Sequence, residues 1–212
     1  MHLDHVSYAA PVEHLADTVQ RIGAALGASF SDGGLHPRFG TRNFILPLSG
    51  GTYVEVVAAL DHPAADTAPF GLAVRARAEQ GGGWMGWVVG VSDIKPLESR
   101  LGRPAAAGHR VRPDGFDLRW RQIGVLDTMA DPQLPYFVHW QVDVAHHPSA
   151  GAGEVRISEL EIAGSPERIC QWLGEPATHP LDDVVVRWLD GGELAGLAAV
   201  TFATAHGAVR VD

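Results

Sequence analysis

The chain has 212 residues, 46% of them hydrophobic and 19% charged, a balance that supports a full globular core. A formal charge of -9 and a pI near 5.6 argue against nucleic acid and acidic membrane surfaces as partners, since both demand a basic footprint. The single cysteine, Cys170, excludes an intramolecular disulfide. No signal-peptide profile opens the chain and no apolar run reaches the ~18 residues that cross a bilayer, so a soluble, cytoplasmic protein acting on small molecules is expected.

The opening stretch MHLDHVSYAA reads as a buried strand, with Leu3, His5, Ser7 and Ala9 on one face and Val6 and Tyr8 on the other. An imidazole on an inward face needs a hydrogen bond, a cavity or a ligand, because a buried polar group without a partner costs about 1–3 kcal/mol. A helix follows near 12–26, where Leu15, Val19, Ile22 and Leu26 recur at helical spacing and Gly27 supplies a left-handed stop. The same order returns at WMGWVVGVSDI, with Ser92 or Asp93 as the cap and Leu101-Gly102 as the stop. It returns again at RISELEIAG, with Ser165-Pro166 as cap and first turn and Leu173-Gly174 as the stop.

β-like sequence follows each helix: TRNFILPL and TYVEVVAAL, then FDLRWRQIGV and LPYFVHWQV, then VVVRWL and LAAVTFATA. Gly50-Gly51 and Pro113-Asp114-Gly115 read as turns, Gly33-Gly34 and 81–83 as flexible connections, and the Pro- and Gly-containing stretch 146–154 as a linker. The expected class is therefore α+β, with a first domain over 1–145, built from modules at about 1–60 and 84–145, and a βαββ module over 155–212.

These residues resemble the vicinal oxygen chelate superfamily and, within it, the glyoxalase-like group. The likeness rests on LDHVSYA at 3–9, HPRFGTRN at 36–43, YVEVVA at 53–58, RPDGFDLRW at 112–120, LPYFVHW at 134–140 and HPS at 147–149. It implies paired βαβββ modules forming a cupped mixed sheet. It also implies metal ligands on the first and last strand of each module, which fall here on His5, Glu55, Gly86 and His139. Glycine has no ligand atom, so the implied set is His5, Glu55 and His139, suited to a divalent ion such as iron, manganese, nickel, cobalt or zinc.

The pattern gives the trio some support of its own, since Glu55 lies between Val54 and Val56 and His139 between Val138 and Trp140. A single mid-strand His or Glu is nevertheless more often a hydrogen-bonded core residue than a ligand. Six arginines lie between residues 100 and 121; most suit a solvated surface, and Arg112 is kept as a carboxylate-binding candidate for an anionic substrate. Asn43 and His36 lie on a loop-like approach to a strand, and Trp120 offers a stacking surface, as do Trp84, Trp87 and Trp140.

Two functions are weighed. The first is a metal-dependent enzyme, a lyase, isomerase or dioxygenase, acting on a small molecule with adjacent oxygens, with Glu55 or His36 as the catalytic base. The second is a metal-free protein that sequesters a drug or metabolite in the same cup. A monomer or a homodimer is compatible with either.

Overall fold

The computed structural model describes residues 1–112, 114–174, 180–190 and 195–212, so Pro113 of the expected 113–115 turn lies outside the described residues. The first module comprises β1 (His2–Ala9), α1 (Leu15–Leu26), β2 (Ser31–His36), β3 (Thr41–Leu48) and β4 (Thr52–Ala59). Helix α2 (Pro69–Glu79) leads to the second module: β5 (Gly83–Gly90), α3 (Lys95–Leu101), β6 (Ala106–Val111), β7 (Asp117–Ile123), α4 (Val125–Ala130) and β8 (Tyr136–Trp140). The eight strands run in the order β1-β4-β3-β2-β6-β7-β8-β5 and close into a barrel. Within each module the first strand pairs in parallel with the last, β1 with β4 and β5 with β8. One seam between modules is the long antiparallel pairing of β1 with β5, whereas the other is held by the Leu35–Val111 pair of β2 and β6. This is the cupped mixed sheet expected from the sequence, drawn shut along a thin second seam.

The three Leu-Gly stops behave as expected. Gly27, Gly102 and Gly174 take φ of 63°, 63° and 80°, the left-handed region that ends a helix at little cost only with glycine. Ser165 caps the third helix, α5 (Pro166–Leu173), accepting from the Arg168 amide at 3.2 Å. The C-terminal unit begins with β9 (Arg156–Ala163) and, after α5, continues with β10 (Val185–Leu189), β11 (Gly196–Thr204) and β12 (Gly207–Val211). Its order is β10-β9-β11-β12, so β12 is one strand more than the sequence suggested. Its first strand pairs in parallel with its second, not its last, so the recurring strand-helix-glycine signal does not make it a third copy by pairing.

Two cores result. The outer one lies between the back of the barrel, the helices and the C-terminal sheet, and holds Trp87, Phe137, Leu160, Ile162, Ile169 and Phe202 with no more than trace exposure. Tryptophan donors tie the barrel unit to the C-terminal unit, Trp84 Nε1 of β5 to the Val211 carbonyl of β12 at 2.9 Å and Trp172 Nε1 of α5 to the Pro135 carbonyl just before β8 at 2.8 Å. The inner core fills the barrel, where Phe70 and Val74 of α2 and Val125 of α4 pack on Val57, Val88 and Tyr136. No described helix is long and apolar enough to cross a membrane.

Candidate active site

Asp4, His5, Ser7, Asn43, Glu55, Arg110 and Gln122 are all buried, together with His36, Thr41 and the hydroxyl-bearing Tyr53 and Tyr136. Buried polar groups at this density require mutual hydrogen bonds, and the structure supplies them as a chain.

The chain begins at a β-bulge. The register of β1 against β5 shifts between Leu3 and His5, which inserts Asp4 as an extra residue and lets neighbours cooperate. Asp4 Oδ1 accepts from His5 Nδ1 at 2.6 Å, while Asp4 Oδ2 accepts from Trp140 Nε1 at 3.0 Å and from His147 Nε2 at 3.2 Å. Burial by itself would raise the Asp4 pKa, but the hydrogen bonds from His147 and His5 and their charge outweigh it and hold the carboxyl at about 2. An ionised Asp4 can only accept, so it takes the His5 Nδ1 proton and turns Nε2 toward the cavity. Nε2 faces the Tyr136 hydroxyl at 3.3 Å and Glu55 Oε2 at 4.0 Å, and the ring stacks on Tyr53 with centroids 4.4 Å apart. Burial, then the nearby carboxylates, pushes both tyrosine hydroxyls well above their ordinary pKa, so each stays a donor.

From Glu55 the chain continues outward. Ser7 Oγ donates to Glu55 Oε2 at 2.9 Å and Asn43 Nδ2 to Oε1 at 2.6 Å. Arg110 Nη1 in turn donates to Asn43 Oδ1 at 3.0 Å and to the Gly33 carbonyl at 2.6 Å. Gly33 is required here by space: a Cβ would overlap Asn43 Oδ1 and Arg110 Nη1. Gly33 is thus a tightly packed β2 residue, not the flexible connection its sequence suggested.

The expected site residues divide. His5, Glu55, His36, Asn43 and Trp120 converge on one inner cavity with about 30 Å³ of free space, enough for about two waters. His36 Nδ1 meets Thr41 Oγ1 at 2.9 Å among Phe39, Phe70 and Trp120. Burial lowers its pKa to about 4, with Glu55 opposing and Arg110 reinforcing the shift.

His139 does not join them. Along β8, Tyr136, Val138 and Trp140 line the cavity, and by strand alternation Phe137 and His139 face outward, where His139 Nδ1 bonds to the Val91 carbonyl at 3.1 Å. The β8 residue beside His5 is Tyr136. Arg112 also lies outside the inner cavity, paired with Asp114 at 2.8 Å on the wall of a wider space of about 560 Å³. Arg110, two residues earlier, is the arginine that reaches inside. Trp84 and Trp87 belong to the outer core, and only Trp120 and Trp140 of the four candidate tryptophans face the cavity.

The site does not fit the divalent metal that the fold implies. Among the described residues no three His, Cys, Asp or Glu side chains come together as a metal-binding group. His5 and Glu55 supply two donors, Tyr136 replaces a third, and Gly86, opposite Ser7 on the inward face of β5, supplies none. A Cβ at Gly86 would meet only Thr128 Cγ2 within 4 Å, at 3.7 Å, an ordinary van der Waals contact.

Two features were missed in the sequence. Asp4 was hidden because strict alternation places it opposite His5, and only the bulge reunites them. Arg110 was hidden because β6, with its AAGHRV sequence, carries no clear strand pattern.

The profile of the family described as glyoxalase-like domain matches residues 3–177. Comparison with curated proteins finds no match. Among solved structures, a hypothetical protein from Staphylococcus aureus shares the whole fold, with a TM-score of 0.73 at 14% identity over 100% of this chain and 98% of that one. Methylmalonyl-CoA epimerase from Mycobacterium tuberculosis overlaps more loosely, with a TM-score of 0.45 at 17% identity over 66% of this chain and 86% of that one. A Streptomyces coelicolor methylmalonyl-CoA epimerase in complex with 2-nitronate-propionyl-CoA gives 0.43 at 16% identity over 66% and 96%.

Proposed function

The chain belongs to the glyoxalase-like domain family of the vicinal oxygen chelate superfamily, and from that premise we propose that it is an isomerase-type enzyme moving a proton on a small carbonyl compound with its own side chains. The observation that carries this reading is the Asp4–His5–Tyr136 array, with Glu55 4.0 Å from the same imidazole nitrogen. Asp4 orients the ring and stabilises its positive charge once it accepts a proton, the part a buried carboxylate plays behind a catalytic histidine. A substrate carbonyl that takes the Tyr136 hydroxyl frees the Nε2 lone pair to remove a proton from the adjacent carbon. The Tyr136 hydroxyl then supports the developing enolate oxygen in a site with little water. Glu55, anchored by Ser7 and Asn43, stabilises the imidazolium until the proton returns to the carbon framework at its new position. His36, neutral at its pKa of about 4, forms part of the wall and is a weaker base than His5 would need to be.

A divalent ion is not assigned a step, because its donor set is incomplete. The binding-protein reading keeps one observation in its favour: the inner cavity is walled by Phe39, Phe70, Trp120 and Trp140 beside the polar chain. Incubation in deuterated water with small 2-oxo and 2-hydroxy compounds, followed by proton NMR, separates the two. Enzymatic deuterium wash-in that is lost in His5→Gln and Glu55→Gln variants of unchanged melting temperature supports the enzyme. Saturable binding of such compounds without wash-in supports sequestration.

A further inference from the structure

We infer that Arg110 is a substrate-selecting residue, and that the substrate carries a carboxylate that docks on this guanidinium while its reacting carbon points inward to His5. The inference rests on the proton-transfer reading for the reacting end but stands on separate observations for the carboxylate end.

Arg110 is 4% exposed. A guanidinium buried to this extent ordinarily has a carboxylate partner, since its charge is costly to desolvate. Among the described residues Arg110 has none: its hydrogen bonds run from Nη1 to two neutral oxygens, the Gly33 carbonyl and Asn43 Oδ1. The other arginines of the 100–121 stretch show the contrast, for Arg103 pairs with Asp127, Arg112 with Asp114, Arg119 with Asp117 and Arg121 with Glu98. Of the two arginines of this stretch without an acid among the described residues, Arg100 is exposed and bonds the Leu173 carbonyl, whereas Arg110 is the one inside.

Its position gives the unmatched charge a use. Arg110 and Ile45 line both the inner cavity and the wider space of about 560 Å³ that opens beside the 145–151 segment. Any molecule passing from the wider space to His5 passes this guanidinium. The inner cavity is lined by the Glu55 carboxylate, so an anionic group is repelled from the depth of the barrel and held at its threshold. The charges therefore impose one orientation, carboxylate outward on Arg110 and carbonyl inward on Tyr136. With Nη1 engaged, the Nη2–Nε edge of the planar guanidinium makes no hydrogen bond among the described residues, and such an edge suits a carboxylate better than a point charge does.

Tryptophan fluorescence, reporting on Trp120 and Trp140, and calorimetry test this with acetate against acetamide and pyruvate against pyruvamide. The expected result is binding of each acid about 10-fold or more tighter than its amide. Arg110→Gln should abolish that preference, and Arg110→Lys should weaken acid binding while retaining part of it. Equal binding of acid and amide, no saturable binding of either acid, or a folded Arg110→Gln that keeps the preference would each overturn the inference. Should Arg110→Gln fail to fold, the parent's acid-to-amide ratio and the Arg110→Lys variant decide. Acid-selective binding without deuterium wash-in would refute the proton-transfer reading alone, whereas wash-in on the amide as fast as on the acid would refute only the role of Arg110.

Discussion

Asp4 and His5 are sequence neighbours that a bulge turns to one side of their strand, leaving Asp4 Oδ1 2.6 Å from His5 Nδ1. Two adjacent residues in a regular strand face opposite sides, so the irregularity makes the pair.

Replacing the carboxylate by an amide tests what the pair does. Asp4→Asn keeps the shape but removes the acceptor that selects the His5 tautomer. Deuterium wash-in should fall by about 100-fold or more while the fold survives, with a stability loss of about 1–3 kcal/mol in chemical denaturation. A rate within a few-fold of the parent would remove His5 from the role assigned to it.

Acid stability should decline in two stages. The His36 pKa falls from 6.5 unfolded to about 4 folded, so the unfolded chain binds more protons between these values and stability is lost as pH drops from about 6.5 to 4. That span is worth about 3 kcal/mol. The Asp4 carboxyl, lowered from 3.8 to about 2, contributes stability above its unfolded value that is lost only as pH falls further toward 2. His36→Gln should flatten the first stage and leave the second, as read by urea denaturation across pH.

Gly86→His should create what the barrel lacks. The new imidazole would stand opposite Ser7, whose hydroxyl bonds Glu55, on a Cβ that meets only Thr128 within 4 Å. Calorimetry with zinc, nickel and cobalt should show tighter binding in the variant than in the parent, because a third donor completes a common ligand set. Stoichiometric metal in the parent, lost in both His5→Ala and Glu55→Ala, would instead establish the metalloenzyme reading.

Gly33→Ala should damage the site through packing. Its methyl would overlap Asn43 and Arg110, and strain of this kind costs about 1–3 kcal/mol. A lowered melting temperature together with slower wash-in is expected, since Asn43 holds Glu55 Oε1. Full stability with full activity would mean that Arg110 has room to move.

Much of the frame was legible because it rests on local signals. The capping Ser165 and the three glycines after α1, α3 and α5 are read from a few residues each, and the apolar strands β1, β4, β5 and β8 from alternation or continuous hydrophobicity. Strands β2 and β6 were passed over, since SDGGLH and AAGHRV owe their extended form to neighbours and not to propensity. Those two strands carry His36 and Arg110. Helix α2 escaped notice as well, having little contrast between its faces. The facing of His139 is illegible for a different reason: β8 is apolar on both sides, Phe137 outward and Val138 inward, so composition cannot tell which parity faces the cavity. His139→Ala should accordingly leave wash-in unchanged, whereas Phe137→Ala should cost about 3–5 kcal/mol.

The outer core joins two pieces of chain that a short exposed stretch connects. Residues 151–154 are exposed, while Trp84 and Trp172 reach across to carbonyls on the other side of that stretch. A single proteolytic cut there would sever the chain without separating its halves. The protein should then behave as a self-assembling split pair, its two fragments eluting together in native gel filtration and parting only in denaturant, with the 1–150 fragment alone presenting the apolar back of β5 and β8 to water.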